Sequence, residues 1–316
     1  MRIVAGQRPS RLAILGHPVA HSLSPVFQNA ALTACELALE YARFDVSAGH
    51  LSAALETCRE TRTGGNVTIP HKEAVAAACV RLSDVARRAG AVNTFWFEDG
   101  ALCGHNTDVD GAWATITALR GALRSAARRH SSQHSAAQRA AVDDAARAHA
   151  VLLGSGGSAA AVLLALARFE RYHITIVART TDRASALLSR TGVAGAVLPF
   201  GSEAARAALG AADLIVNSTS LGLHDEDPLP ADPAVFGKNA AVFDLVYRPA
   251  HHRKNESGTP WVRAARARGL VAEDGLRMLV EQGAAAFETW FGMTAPRQVM
   301  WDALGVPMPP PDEART

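Results

Sequence analysis

Cysteines, lysines and long apolar runs are all scarce in this sequence. Its four cysteines among 316 residues form no Cys-x-x-Cys pair, which argues against a disulfide framework and a cysteine-based zinc site. No run of about 18 apolar residues occurs, so we expect no transmembrane helix. The first residues also lack the apolar core of a signal peptide. The expectation is a cytoplasmic protein with reduced thiols and no membrane partner.

The net charge is small as well. Thirty-two basic and 30 acidic side chains leave a formal charge of +2. This balance lacks the strongly basic field that sequence-independent nucleic-acid binding needs, so no nucleic-acid partner is expected. Only three of the basic residues are lysines, which makes a lysine inside a motif informative.

Short apolar runs alternate with longer Ala-rich stretches along the chain. The apolar runs predict strands over 11–16, 66–69, 91–97, 148–153, 173–178, 213–217 and 241–246. The stretches between them predict helices over 25–39, 51–59, 71–88, 156–170 and 182–190. Such alternation indicates an α/β protein with mostly parallel sheets covered by helices.

Two polar segments interrupt this pattern. Residues 121–148 are rich in alanine, arginine, serine and histidine and lack aromatic residues. Alanine and arginine favour helix, but without a sustained apolar stripe we predict a solvated, partly mobile insertion. Residues 251–258 form a second polar insertion. The His130/His134 and His251/His252 pairs lie in these segments without acidic or cysteine partners, so no metal site is predicted.

The clearest local signal is a glycine-rich turn between a strand and a helix. A strand ending at Leu153 is followed by Gly154-Ser155-Gly156-Gly157-Ser158 and then an apolar helix. Glycines allow the tight turn, and backbone N–H groups at a helix N-terminus bind a pyrophosphate. The order strand, turn, helix and second strand favours a dinucleotide site over a purely structural turn.

The end of the second strand predicts which dinucleotide is bound. NAD enzymes commonly place a carboxylate there for the ribose 2′-hydroxyl, whereas this sequence has Arg179, followed by Arg183 one helical turn later. A guanidinium is a permanently charged, planar partner for a 2′-phosphate. Asp182 is the single dissenting residue, and a solvated helix start is the alternative. We favour NADP over NAD.

Three stretches in the first half contain polar residues that a core strand or a turn does not need. They are HSLSP at 21–25, GNVTIPHK at 65–72, and AVNT at 91–94 followed by NTD at 106–108. Hydroxyls and amides can bind a polyhydroxylated carboxylate, and a Lys/Asp pair can move a proton. The structural alternatives are Ser24 as a helix N-cap with Pro25 at N1, Lys72 as a surface lysine and Asp108 as a helix cap.

Together these stretches and the nucleotide turn resemble the shikimate dehydrogenase family. The similarity runs from about Leu12 to Gly292 and is interrupted by the two insertions. Its motifs, in order, are HSLSP, GNVTIPHK, AVNT, NTD, GSGGSA, ART, NSTSLGL, FDLVY and DGLRMLVEQ.

The resemblance implies a role for specific residues. Lys72 and Asp108 match the catalytic pair. The substrate-binding positions are Ser22, Ser24, Thr68, Asn93, Tyr247 and Gln282. The cofactor-binding positions are Gly154, Ser155, Gly156, Gly157, Ser158, Ala178, Arg179, Thr180, Arg183, Leu245, Gly275 and Asp84. Ser22 and Ser24 would bind the substrate carboxylate, while Leu245, Gly275 and Asp84 would lie near the nicotinamide.

The resemblance also implies the architecture. An α/β substrate-binding domain would span residues 1–110 and be completed by C-terminal helices over 274–305. A Rossmann-like NADP-binding domain would span 111–273, with the active site in the cleft between the two.

The implied activity is NADP-dependent, reversible reduction of 3-dehydroshikimate to shikimate, on the route to chorismate and aromatic amino acids. The enzyme would act as a monomer or homodimer. The alternatives are an NAD-dependent quinate/shikimate dehydrogenase and a non-catalytic paralogue that binds shikimate-like ligands.

Overall fold

A computed structural model describes residues 8–130, 148–169, 171–224, 226–248 and 258–309. Its strands are β1 Arg11–Gly16, β2 Tyr41–Asp45, β3 Thr63–Val67, β4 Arg81–Leu82, β5 Thr94–Glu98, β6 Ala101–His105, β7 Ala148–Leu153, β8 Tyr172–Ala178, β9 Ala196–Pro199, β10 Leu214–Asn217, β11 Ala241–Asp244 and β12 Val271–Glu273. Its helices are α1 Ser24–Ala34, α2 Leu51–Glu60, α3 Lys72–Ala78, α4 Asp84–Ala89, α5 Asp108–His130, α6 Gly157–Ala167, α7 Thr181–Thr191, α8 Glu203–Gly210, α9 Pro260–Ala267, α10 Leu276–Phe291 and α11 Arg297–Ala303.

The chain forms two compact units. Of the described residues, the first unit contains 8–112 and 278–309, and the second contains 113–248 and 258–277. Each unit is built on a six-stranded sheet. The α/β fold class expected from the sequence is confirmed. In the described part of the chain, no helix combines the length and apolar character that a membrane span requires.

The first unit has a mixed sheet with the strand order β2-β1-β3-β5-β6-β4. Strand β1 runs parallel to β2 and β3, whereas β5 runs antiparallel to β3 and β6. The expectation of mostly parallel strands holds for three of the five strand pairings in this unit, while the other two, both formed by β5, are antiparallel. The cause is the turn Asp99-Gly100, in which both residues have positive φ (51° and 76°). Such a turn joins two adjacent antiparallel strands as a tight hairpin.

Two helix predictions in this unit need correction. The single helix expected over 71–88 is two helices, because α3 ends at Ala78 and Arg81 pairs with Cys103 of β6 before α4 begins. Ser83 caps α4 by accepting a hydrogen bond from the backbone N–H of Ala86 at 3.2 Å. The helix expected over 25–39 ends at Ala34.

The second unit has an entirely parallel sheet with the order β12-β11-β10-β7-β8-β9. Counted from the unit's first strand, β7, this is the 3-2-1-4-5-6 order of a doubly wound dinucleotide-binding fold. Ligands of such sheets bind outside the carboxyl ends of the strands, where the strand order reverses. Here that point lies between β7 and β10.

The insertion predicted over residues 121–148 begins as a helix. Residues 121–130 continue α5 as helix, and Leu123 is half-buried in it. Because the helical residues alanine, leucine and arginine dominate here, the weak apolar stripe does not end the helix. The remainder of the predicted insertion, 131–147, and the second insertion up to residue 257 lie outside the described residues, as do His134, His251 and His252.

Candidate active site

Four strands of the first unit bring their polar flanking segments to one edge of the sheet. Strands β1, β3 and β6 end at this edge and the antiparallel β5 begins there. The register sets Leu15 beside Val67, Asn66 beside Thr94, and Thr94 beside His105. The three polar stretches singled out in the sequence all follow or precede these strand ends.

Lys72 and Asp108 form an ion pair at this edge. Lys72 is the first residue of α3 and Asp108 the first residue of α5. The Lys72 Nζ lies 2.6 Å from Asp108 Oδ2, and the two side chains are only 16% and 9% exposed. A charged pair this shielded is electrostatically stronger than a surface pair. Lys72 is therefore not a surface lysine, and Asp108 is not simply a helix cap.

Asn93 connects this pair to Gln282. Its Nδ2 donates to Asp108 Oδ1 at 2.8 Å and lies 3.0 Å from Gln282 Oε1. Its Oδ1 accepts from the backbone N–H of Thr107 at 2.7 Å. Because a backbone N–H can only donate, this contact fixes which end of the amide is oxygen. The NH₂ group therefore faces the carboxylate.

The backbone around Lys72 is held on both sides. The Lys72 carbonyl accepts from Val92 N at 2.9 Å. The neighbouring His71 is buried, and its Nε2 donates to the carbonyl of Val46. These contacts fix the start of α3, and with it the direction in which the lysine side chain leaves the backbone.

Ser22, Ser24 and Thr68 flank the same edge. Helix α1 has Leu23 as its N-cap residue and no side-chain cap, so the expected capping role of Ser24 is wrong. Instead the Ser24 N–H donates to Ser22 Oγ at 3.3 Å. The Thr68 N–H donates to the carbonyl of Leu15 at 2.8 Å, which ties the segment after β3 to β1.

In the second unit the glycine turn follows β7 directly. Gly154 has φ +98°, and a Cβ there would lie 2.8 Å from Thr219 Cγ2. A Cβ on Gly156 or Gly157 would meet nothing within 4 Å, so the space outside the turn is open. Helix α6 starts at Gly157 without a side-chain cap, and Ser155 and Ser158 are half-buried beside it. This open, uncapped helix N-terminus fits a pyrophosphate.

The end of β8 carries two exposed arginines. Ala178 is buried, while Arg179, Thr180 and Arg183 are exposed. Within the described ranges, neither arginine has an ion-pair partner. Two guanidinium groups beside the glycine turn, both without an ion-pair partner in the described ranges, fit the 2′-phosphate of NADP.

Leu245 and Gly275 come together after β11. The Leu245 N–H donates to Asn217 O at 3.0 Å and the Gly275 N–H donates to Val246 O at 3.0 Å. A Cβ on Gly275 would lie 2.1 Å from the Leu245 carbonyl oxygen, so only glycine allows this approach. Burial raises the pKa of nearby Tyr247 to about 12, which keeps its hydroxyl protonated and able to donate.

A buried hydrogen-bond network, for which no role was predicted, lies at the ends of β10 and β11. Asp244 accepts from Asn217 Nδ2 at 2.8 Å, from Thr259 Oγ1 at 2.6 Å and from Val246 N at 3.1 Å. Burial raises its pKa from 3.8 to about 6. The signal in the sequence was the polar last residue of each otherwise apolar strand, Asn217 in LIVN and Asp244 in AVFD.

Asp84 is the one predicted site residue that joins none of these groups. It lies in the first turn of α4, and its side chain is 96% exposed. Its partner is Arg87, 3.8 Å away and one helical turn later. Its role near the nicotinamide stays a prediction.

Comparisons with known proteins agree with this arrangement. The model of the shikimate dehydrogenase substrate-binding domain matches residues 14–95, and that of the shikimate 5′-dehydrogenase C-terminal domain matches residues 275–304. The NADP(+) shikimate dehydrogenase of Symbiobacterium thermophilum is 40% identical over 299 residues, which cover 92% of this chain and 91% of that protein.

Two solved structures are similar over nearly the whole chain. Shikimate dehydrogenase from Aquifex aeolicus has a TM-score of 0.77 and 29% identity, covering 96% of this chain and 99% of its own. Shikimate 5-dehydrogenase from Thermus thermophilus, solved with NADP(H) and shikimate, has a TM-score of 0.73 and 34% identity, covering 93% and 98%. The chain is thus a dinucleotide-dependent oxidoreductase. It belongs to the shikimate dehydrogenase family.

Proposed function

We propose that this protein catalyses the reversible, NADP-dependent reduction of 3-dehydroshikimate to shikimate. The observation that carries the proposal is the shielded Lys72–Asp108 pair, with an Nζ–Oδ2 distance of 2.6 Å. A protein that only binds shikimate has no need for a proton-transfer pair. Relatives at this level of identity are named NADP(+) shikimate dehydrogenases.

In the proposed reaction Lys72 moves the proton. During reduction its ammonium donates a proton to the substrate oxygen as negative charge develops there. In the oxidative direction the neutral amine takes the proton back from the substrate hydroxyl. Bound NADP would supply the hydride chemistry of the reaction.

Asp108 and Asn93 hold the lysine in place. One carboxylate oxygen contacts the ammonium and the other accepts from Asn93, so the carboxylate cannot rotate without losing a hydrogen bond. An ammonium held in one position needs less reorganisation when the substrate binds. Asp108 also has the chemistry to accept a hydrogen bond from a substrate hydroxyl next to the reacting carbon.

The remaining polar residues of the site suit a polyhydroxylated acid. In the proposal Ser22 and Ser24 donate to the substrate carboxylate, and Tyr247 approaches from the carboxylate side. Thr68, Asn93 and Gln282 contact the ring hydroxyls. Asn93 Nδ2 already donates to Gln282 Oε1 at 3.0 Å, and a substrate hydroxyl can replace either partner of this hydrogen bond.

NADP would occupy the carboxyl edge of the parallel sheet. The backbone of Gly154, Ser155, Gly156, Gly157 and Ser158 would hold the pyrophosphate. Ala178, Arg179, Thr180 and Arg183 would surround the 2′-phosphate, and Leu245 and Gly275 would flank the nicotinamide. Arg179 and Arg183 support NADP over NAD, because the 2′-phosphate of NADP carries a negative charge for them to bind and the 2′-hydroxyl of NAD does not.

We also propose that residues 1–110 with 274–305 bind substrate and that 111–273 bind NADP. The division of the chain into two compact units, at nearby positions, supports this assignment. The four cysteines are all free thiols, which supports a reducing compartment and therefore the cytoplasm.

The test is a comparison of substrates and cofactors with the purified protein. Formation of NADPH or NADH is followed with shikimate or quinate, each with NADP or NAD. We expect the highest kcat/KM for shikimate with NADP. Preference for quinate and NAD would identify an NAD-dependent quinate/shikimate dehydrogenase, and binding of shikimate without turnover would identify a non-catalytic protein.

A further inference from the structure

Phe200 is an exposed aromatic residue at the end of β9. Its side chain is 54% exposed, although most phenylalanines of this protein are buried. It lies in the turn Pro199–Ser202, which is closed by a hydrogen bond from Ser202 N to Pro199 O at 3.2 Å. Ser202 also caps α8 through a bond from Ala205 N at 3.1 Å. The backbone bonds define the turn, so the ring is not needed to hold it.

The position of Phe200 relates it to the cofactor arginine. Strands β8 and β9 are parallel, with Ala178 paired to Pro199. The Phe200 N–H donates to the Ala178 carbonyl at 3.0 Å. Phe200 therefore follows its strand at the level where Arg179 follows the neighbouring strand, about 4.8 Å across the sheet. Both residues lie at the carboxyl edge, where doubly wound sheets bind ligands.

The covalent structure of NADP sets what lies next to the 2′-phosphate. The phosphate and the adenine are attached to adjacent carbons of one ribose. With the phosphate at Arg179, the base lies roughly one strand spacing away. A flat apolar ring in water at that point is suited to stack on, or pack against, a flat base.

We propose that Phe200 is a wall of the adenine site and contacts the base of NADP. This inference rests on the proposed NADP dependence and adds a residue to it. The ring removes one face of the adenine from water, while Arg179 binds the phosphate of the same ribose. Phe200 thus contributes to affinity for the nucleoside and Arg179 to the choice of NADP over NAD.

The experiment uses two mononucleotides, 2′-AMP and 2′-CMP, which share the ribose 2′-phosphate and differ in the base. Calorimetry on the full-length protein measures both affinities. We expect Phe200→Ala to weaken 2′-AMP by about 10-fold, the usual effect of losing an aromatic stacking partner. The smaller pyrimidine loses less, so the preference for 2′-AMP falls toward one. Phe200→Trp keeps the preference and Phe200→Leu does not.

Val80→Ala is the matched control, because Val80 is 75% exposed and belongs to the other unit. It should bind both nucleotides as the unchanged protein does. Equal weakening of both nucleotides by Phe200→Ala, or none, would overturn the inference. Failure of the unchanged protein to bind 2′-AMP would instead overturn the proposed NADP dependence.

Discussion

The ammonium of Lys72 contacts only one of the two carboxylate oxygens of Asp108, at 2.6 Å. The second oxygen accepts from Asn93 at 2.8 Å. Asp108 is thus held between a cation and an amide. The carboxylate fixes the position of the group that we propose to transfer the proton.

This arrangement predicts that Asp108→Asn is severe although it changes few atoms. In this variant the side-chain oxygen at position 108 would keep its hydrogen bond from the Asn93 NH₂ group. The new NH₂ group at position 108 would then face the Lys72 ammonium. Two donors facing each other displace the lysine, so we expect kcat/KM to fall by about 10²-fold, within the range for general acid–base residues. Steady-state kinetics with shikimate measure this.

Asp302→Asn is the matched control, since it makes the same chemical change at an exposed residue of α11 that has no proposed role. It should retain the kcat/KM of the unchanged enzyme. Normal activity in Asp108→Asn would show that the ion pair serves the fold and not the reaction.

A second prediction concerns Arg179. Because it has no ion-pair partner among the described residues, its charge is available to the 2′-phosphate. Arg179→Ala should raise KM for NADP at least ~10-fold, as expected for losing a charge-assisted hydrogen bond, and should affect NAD much less. Arg190→Ala, in the last turn of α7, should leave both values unchanged. Equal losses with NADP and NAD would contradict the assignment.

The two ends of the glycine turn should respond differently to alanine. Gly154 has a positive φ and a crowded Cβ position, whereas a Cβ on Gly156 meets only open space. Gly154→Ala should therefore lower the melting temperature. Gly156→Ala should keep the melting temperature and raise KM for NADP, because the methyl group occupies the space proposed for the pyrophosphate.

Thermal denaturation and steady-state kinetics of both variants test this contrast. A normal KM for NADP in a stable Gly156→Ala protein would place the pyrophosphate elsewhere.

Asp244 predicts a pH dependence of stability. Burial raises its folded-state pKa from 3.8 to about 6, so the folded protein binds the proton more tightly than the unfolded chain. The favourable contribution of the protonated group is complete below about pH 4 and is lost as pH rises through 6. A shift of this size corresponds to roughly 3 kcal/mol in the free energy of unfolding.

Asp244→Asn removes this titration. The free energy of unfolding of the unchanged protein, minus that of the variant, should decrease between pH 4 and 6. Urea denaturation at several pH values measures it. Parallel pH profiles for the two proteins would mean that Asp244 titrates near its ordinary value.

Parts of the fold follow directly from local sequence. The predicted strand 148–153 matches β7, because a strand covered on both faces is a continuous apolar run. Strand β6 was not predicted, since its residues Ala101–His105 include a glycine and a histidine and form no sustained apolar run. The signal for it lies in the Asp99-Gly100 turn, which folds it back onto β5, because Asp-Gly between two short runs favours a hairpin.

The motifs predicted residues that meet at this edge of the first unit's sheet, but not the hydrogen bonds between them. The motifs indicated Lys72 and Asp108, yet no local pattern orients the Asn93 amide. That orientation depends on the backbone N–H of Thr107, which arrives only when the segment following β6 lies beside the start of β5. Likewise Asp244 and Thr259 meet through the packing of α9 near β11, beyond the reach of sequence periodicity.

The most direct test of the central claim is to replace Lys72 by methionine, which keeps most of the side-chain volume and removes the proton. Shikimate affinity is measured by calorimetry and kcat by NADPH formation. We expect kcat to fall by ~10²–10⁴-fold, while Kd for shikimate changes far less because the Ser22 and Ser24 hydroxyls remain. A near-normal kcat with a strongly raised Kd would contradict the account, since Lys72 would then bind substrate without transferring its proton.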